Sequence, residues 1–224
     1  MTQPLAHPHR ALFDEEMRRI RSVILVLGER VDRAITRSVG ALVDRDVEAS
    51  NEVIRNDHEI NELQQEVRNL CFTALLTQGP LARDLREILG FLHMSAELER
   101  MGDHCASIAK LGRNLADLPA ISPHVDIARM GDYCAEQVRD MLAALVARDI
   151  QRAREVANRD DRIDRIYHRI FDELIQLMAE NTSYIYPATS LTFVAHHLER
   201  IADRVTNLAE DLVWLETGQT EELG

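Results

Sequence analysis

A six-residue segment that occurs twice constrains this chain more than any other feature. Leu98-Glu99-Arg100-Met101-Gly102-Asp103 returns one hundred residues later as Leu198-Glu199-Arg200-Ile201-Ala202-Asp203. Earlier stretches repeat as well. Ala41-Leu42-Val43-Asp44-Arg45-Asp46 matches Ala144-Leu145-Val146-Ala147-Arg148-Asp149, and Asp57-His58-Glu59-Ile60-Asn61 matches Asp160-Asp161-Arg162-Ile163-Asp164. The offset is 103 in these stretches and 100 at the hexapeptide, so the second copy has lost three residues between them. Two halves repeating in register imply two copies of one supersecondary unit.

The unit reads as helical. Ile20, Val23, Ile24, Leu27, Val31, Ile35, Val39 and Leu42 recur in three- and four-residue steps, as do Phe91, Met94, Leu98, Met101, Cys105 and Ile108. Aromatic residues are only 4% of the chain, which suits long helices better than sheets. All six prolines fall between periodic runs, where their missing donor does no harm. Helices are therefore expected over about residues 11–43, 47–76, 81–115, 125–146, 150–181 and 188–215. Residues 116–122, with Pro119 inside and Pro123 just beyond, form the best linker. The expected fold is all-α: two tandem antiparallel three-helix bundles, residues 11–116 and 124–217, with 1–10 and 218–224 as flexible ends. Leu85, Ile88 and Leu92 lie off the apolar stripe of the third helix, where they either cover neighbouring helices of the first bundle, the favoured reading, or offer a docking face.

Charge and cysteine usage narrow the function classes. The net charge of −12 argues against a nucleic-acid partner, since phosphate binding needs a basic surface. Lys110 is the only lysine, so arginine supplies nearly all the positive charge. Cys71, Cys105 and Cys134 are odd in number and far apart, as expected of buried thiols in a reducing compartment. The first ten residues have no apolar core, so they do not read as a signal peptide. No run approaches about 18 apolar residues, so a cytoplasmic protein is expected, touching a membrane only through partners. No nucleophile constellation is present, and no catalytic residue is assigned.

The repeated hexapeptide places a glutamate one helical turn before an aspartate, Glu99 with Asp103 and Glu199 with Asp203. Both pairs lie roughly 130–170° from the centre of their apolar stripe, so they face outward. The preceding helices carry a second one-turn pair, Asp57 with Asn61 and Asp160 with Asp164, on a flank of their own stripes. A neighbouring helix can bring each flank pair to the corresponding Glu/Asp pair. Each half would then present oxygen ligands suited to a hard cation. His196 shares a face with Glu199 and Asp203 and is an additional candidate ligand.

These segments resemble the PhoU family, regulators of high-affinity phosphate uptake in bacteria. Gly79-Pro80-Leu81-Ala82-Arg83-Asp84-Leu85-Arg86, the two hexapeptides, and Asn207-Leu208-Ala209-Glu210-Asp211 running to Glu216-Thr217-Gly218 carry the likeness. The resemblance implies two three-helix bundles in pseudo-twofold arrangement, and metal binding by the paired acidic motifs. It implies Asp57, Glu99 and Asp103 as ligands in the first half, and Asp160, Asp164, Glu199 and Asp203 in the second. Asn61 departs from the pattern where a carboxylate would complete the pair. Iron, manganese, magnesium and zinc all remain open. The resemblance further implies a non-enzymatic adaptor, often a homodimer, that restrains the phosphate ABC transporter and quiets a sensor histidine kinase.

Two other readings compete. A ferritin-like di-metal carboxylate oxidase needs glutamates and Glu-x-x-His pairs directed into a four-helix core, whereas His196-x-x-Glu199 runs in the opposite order and faces outward. A metal-free helical scaffold would leave the acidic pairs simply solvated.

Overall fold

The computed structural model describes residues 8–121 and 124–224. Seven α-helices carry them: α1 (Pro8–Asp44), α2 (Val47–Gln78), α3 (Arg83–Leu115), α4 (His124–Ala147), α5 (Ile150–Ala157), α6 (Asp160–Glu180) and α7 (Ile185–Thr217), with a 3₁₀ turn at Thr182–Tyr184. The fold is the expected pair of antiparallel three-helix bundles, α1–α2–α3 and α4–α5/α6–α7. Residues 1–7 of the leader, Ser122 of the linker and Pro123 just beyond it lie outside the described residues.

The repeated Arg-Asp turns show how the sequence sets the connections. Arg45 and Arg148 both adopt left-handed backbone, with φ of 58° and 54°. The aspartate that follows each one caps the next helix: Asp46 accepts from the Ala49 amide at 2.9 Å, and Asp149 from the Arg152 amide at 3.0 Å. Left-handed backbone costs a non-glycine residue about 1–2 kcal/mol. Arg45 offsets this because its guanidinium donates to the carbonyls of Leu115, Ala116 and Leu118 at the end of α3, where Leu115 also accepts from the Leu118 amide.

One expected element is divided. The helix read over 150–181 breaks at Asn158-Arg159, whose backbone tightens into 3₁₀-like bonds, Arg159 N–H to the Val156 carbonyl among them. Arg159 is drawn toward Asp140, which also holds Arg152. The break leaves Asp160 and Asp161 in the first turn of α6, where negative charge faces the positive end of the helix dipole.

The two bundles share one core. α1, α3, α7 and α4 pack in a ring, with α2 outside the α1–α3 pair and α5–α6 outside the α4–α7 pair. Across the halves α3 runs antiparallel to α7, and α1 to α4. Arg204 and Asn207 reach Glu97 at 3.0 and 2.8 Å, His93 meets Asp211 at 2.7 Å, and Arg139 meets Asp32 at 2.7 Å. Two glycines allow α1 and α4 to approach. A methyl group at Gly131 would lie 2.8 Å from Val39 Cγ2, and one at Gly28 would strike Leu142.

Ile88 is fully buried on α3 where α2 lies alongside, the Cys71 thiol meeting its carbonyl, and Leu92 packs on the core. Only Leu85 of the suggested docking trio stays exposed. The expected flexible end at 218–224 is folded back instead. Arg154 holds Glu221 through two bonds of 3.0 and 2.6 Å, and the Leu223 amide donates to Glu210. All three cysteines are buried and unpaired, and burial pushes the Cys71 thiol up to about 12. Among the described residues no helix is long and apolar enough to cross a membrane.

Candidate metal centres

The first acidic cluster forms where α2 crosses α3. Buried residues cover most of the circumference of α3 and leave Glu99, Arg100, Asp103 and Lys110 on the outer strip. Between the two acids sits Gly102, which lets α2 come close. A methyl group there would lie 2.9 Å from Ile60 Cγ2 and 3.5 Å from Asp57 Oδ1. Asp57 thus reaches the Glu99/Asp103 pair. Its carboxyl is held above the usual range first by burial, then by the charge of Asp103. Glu99 is raised likewise by burial, then by Asp103 and Asp57. Asn61 is exposed and donates to Asp57 Oδ2 at 3.4 Å.

The second cluster lies at the α6–α7 crossing, with Ala202 in the place of Gly102. Asp160 is pushed up to about 6 by burial, then by the charges of Asp164, Asp203 and Glu199. Asp164 and Glu199 are also raised, each by burial first and by Asp203 next. Arg200 donates to Asp203 Oδ2 at 2.7 Å, and His196 Nδ1 lies 3.2 Å from Glu199 Oε2 without hydrogen-bond alignment. All eight paired positions read from the sequence therefore assemble into two clusters, with His196 at the rim of the second.

The donor chemistry fits a hard cation. Asp57 Oδ1 and Asp160 Oδ1 occupy equivalent positions, are shielded from solvent, and have no hydrogen-bond partner. A shielded carboxylate oxygen without a donor is costly unless a positive charge meets it. In the rotamers present, no three carboxylate, imidazole or thiolate groups among the described residues surround a common point closely enough to hold an ion. The acids turn to local partners instead, Asn61, Arg200 and His196. Holding an ion therefore requires side-chain rotation away from those partners.

Nearby features separate from the clusters. His104 Nδ1 faces His197 Nδ1 at 3.1 Å across the α3–α7 contact, and burial, then His197, lowers it to about 4. It belongs to the helix interface. The only buried carboxylates among the described residues are Glu87 and Glu97, each paired with arginine. That leaves the four-helix core without the inward acids of a di-iron oxidase.

The sequence reading missed a groove beside each cluster. The first, about 560 Å³, runs between α1 and α2 with Gly102 at its floor and Asp57 on its wall. Arg30, Arg33, Asn56 and Glu59 line it. The equivalent positions Tyr133, Glu136, Arg159 and Arg162 line the second groove, so charge has moved from one wall to the other. Arg162 there stacks 3.6 Å over the Tyr133 ring. Aligning the two halves of the sequence exposes this swap.

Comparison with known proteins matches the duplicated architecture. The PhoU domain matches residues 24–112 and again 127–212, one match in each half. The chain belongs to the PhoU family. A Clostridium acetobutylicum protein named phosphate-specific transport system accessory protein PhoU homolog is 34% identical over 219 residues, covering 96% of this chain and 98% of that protein. A Xylella fastidiosa protein of the same name is 34% identical over 207 residues, 92% of this chain and 87% of that one. Among solved structures, the phosphate transport system regulatory protein PhoU from Streptococcus pneumoniae superposes with a TM-score of 0.88 at 32% identity, covering 94% of this chain and all of that one. PhoU from Pseudomonas aeruginosa gives 0.89 at 28% identity, covering 92% of this chain and all of that one.

Proposed function

We propose that this PhoU-family chain is a negative regulator of phosphate uptake and phosphate-starvation signalling. It acts as a non-enzymatic, cytoplasmic, homodimeric adaptor between the phosphate ABC transporter and a sensor histidine kinase. The names of full-length relatives support the phosphate-transport setting. The observation that carries the adaptor reading is the placement of polar chemistry. Acidic clusters occur twice, on the outside of a closed apolar core, where a partner rather than a small substrate meets them.

Each cluster is assigned a metal ion, held by Asp57, Asn61, Glu99 and Asp103 in the first half and by Asp160, Asp164, Glu199 and Asp203 in the second, with His196 beside it. When bound, iron, manganese, magnesium or zinc would neutralise carboxylates that otherwise repel one another. The second centre is the stronger, because an amide oxygen at Asn61 is a weaker donor than the carboxylate of Asp164.

Deleting the gene is expected to derepress phosphate-starvation genes in high phosphate, and the wild-type gene to restore repression. A copy carrying D160N, D164N, E199Q and D203N should restore it only partly. Unchanged expression in the deletion strain would count against the regulatory role. Metal analysis of protein purified without chelators tests the ions separately.

A further inference from the structure

The internal repeat supplies a control for every polar feature, and one pocket differs sharply from its counterpart. At the end of the molecule where α1 and α3 begin, a solvent-open pocket of about 670 Å³ is lined by Arg10, Arg18, Arg21, Arg83 and Arg148. They come from the starts of α1 and α3 and from the α4–α5 turn. In a chain of net charge −12, five guanidiniums meet only three carboxylates on that lining, Asp14, Asp84 and Glu87.

The equivalent place at the other end is apolar. There Arg45 stands for Arg148 and Pro187 for Glu87, beside Leu42, Leu191, Pro119 and Ile121. Arg45 is consumed in capping α3. Two changes made the difference. Residues 119–121 of the linker cover the second end, whereas the first is covered by residues from Arg10 onward in α1, most of which precede the position equivalent to the start of α4. A carboxylate, Glu87, also replaces the proline.

The pocket is built from its floor outward. Glu87 is 9% exposed and accepts from Arg21 at 2.6 Å and from Arg148, which it orients. Arg148 also meets Glu216 at 3.2 Å. At the mouth Arg10 pairs with Asp84 at 2.6 Å and with Asp14 at 3.1 Å. Two mouth arginines are less engaged. Arg18 donates to the Asp14 backbone carbonyl, and Arg83 comes no closer than 3.8 Å to Glu216, among the described residues. Guanidinium forks approaching from separate elements match an acceptor with oxygens in three dimensions better than a planar carboxylate.

We propose that this arginine pocket binds a tetrahedral oxyanion, a phosphate group either free or exposed as a lipid headgroup. It is distinct from the acidic clusters and needs no metal. The test uses the full chain passed over a chelating resin, so that no ion at the clusters can carry the anion. Calorimetric titration with inorganic phosphate, against chloride at matched ionic strength, is expected to show saturable binding. R18Q/R83Q should weaken it at least tenfold, and R55Q, a surface change elsewhere, should leave it unaltered. Circular dichroism verifies the fold of each variant, since Arg18, Arg83 and Arg55 are all exposed.

Sedimentation with phosphatidylcholine vesicles, with and without phosphatidylglycerol, separates the two sources. Binding that requires phosphatidylglycerol and is competed by phosphate assigns a headgroup. Phosphate binding without vesicle association assigns the free ion. Binding of neither, or equal binding by wild type and R18Q/R83Q, overturns the proposal.

Discussion

Substituting Asp160 by asparagine separates what the second cluster costs the fold from what it does. Asp160 is raised from an ordinary 3.8 to about 6, chiefly by burial and then by three neighbouring carboxylates. A folded-state value above the unfolded one means that ionisation opposes folding. The cost is absent well below pH 3.8, grows as the pH rises, and is complete above about 6. At about 1.4 kcal/mol for each tenfold change in acidity, the shift corresponds to at most about 3 kcal/mol. Solvent screening at a half-buried site reduces this to about 1.5 kcal/mol. Asparagine also forfeits the first-turn interaction with the α6 dipole, about 0.5 kcal/mol.

D160N should therefore stabilise the metal-free protein by about 1 kcal/mol at pH 7.5, a rise in melting temperature of about 2–4 °C for a chain of this size. The gain should shrink to about half at pH 4.5, where the folded wild type already carries the proton and has no dipole interaction to forfeit. With Mn²⁺ added the order should reverse, because wild type gains stability by mass action and the variant gains less. Thermal unfolding at the two pH values, with and without Mn²⁺, reads all three effects. Destabilisation by D160N in metal-free protein at pH 7.5 would refute the reasoning.

Three further outcomes are expected. Gly102→Ala places a methyl group 2.9 Å from Ile60 Cγ2 and should destabilise by about 1 kcal/mol, overpacking outweighing helix propensity; urea unfolding measures it. Glu97 is buried against Arg204 and Asn207, so Glu97→Ala should cost about 3 kcal/mol by stranding a buried guanidinium. Glu97→Gln should cost less, and equal losses in chemical unfolding would contradict the assignment. Arg45→Ala should be more destabilising than Arg45→Gly by about 1 kcal/mol, since only glycine relieves the left-handed backbone; a reversed order in paired melts would show that backbone strain is not what separates the two.

Much of this molecule can be read from its sequence because its helices are long and its motifs occur twice. Glu99 and Asp103 could be placed outside the core from spacing alone, and the repeat tied them to Asp57 and Asp160. What escaped depends on which helix lies opposite. For Ile88 the sequence left docking and burial both open, because one apolar stripe accounts for one neighbour, whereas α3 packs against three helices, α1, α2 and α7. The break at Asn158-Arg159 escaped because apolar periodicity runs through it, and the pull comes from Asp140 on another helix. The arginine pocket gathers residues from both halves, Arg18 and Arg148 among them, which no local pattern connects.

The antiparallel pairing of α3 with α7 and of α1 with α4 has a consequence for how the two acidic clusters are held. Each helix meets its own repeat partner about a twofold axis, which is the geometry of a symmetric dimer of single three-helix units. Joining the units through residues 116–122 makes that association intramolecular. The spacing between the clusters is then independent of protein concentration, and no monomeric fraction exists at low expression. Covalent joining also frees each half to drift. Asn61 can differ from Asp164, and Glu87 from Pro187, as they cannot in a homodimer, where every substitution is made twice.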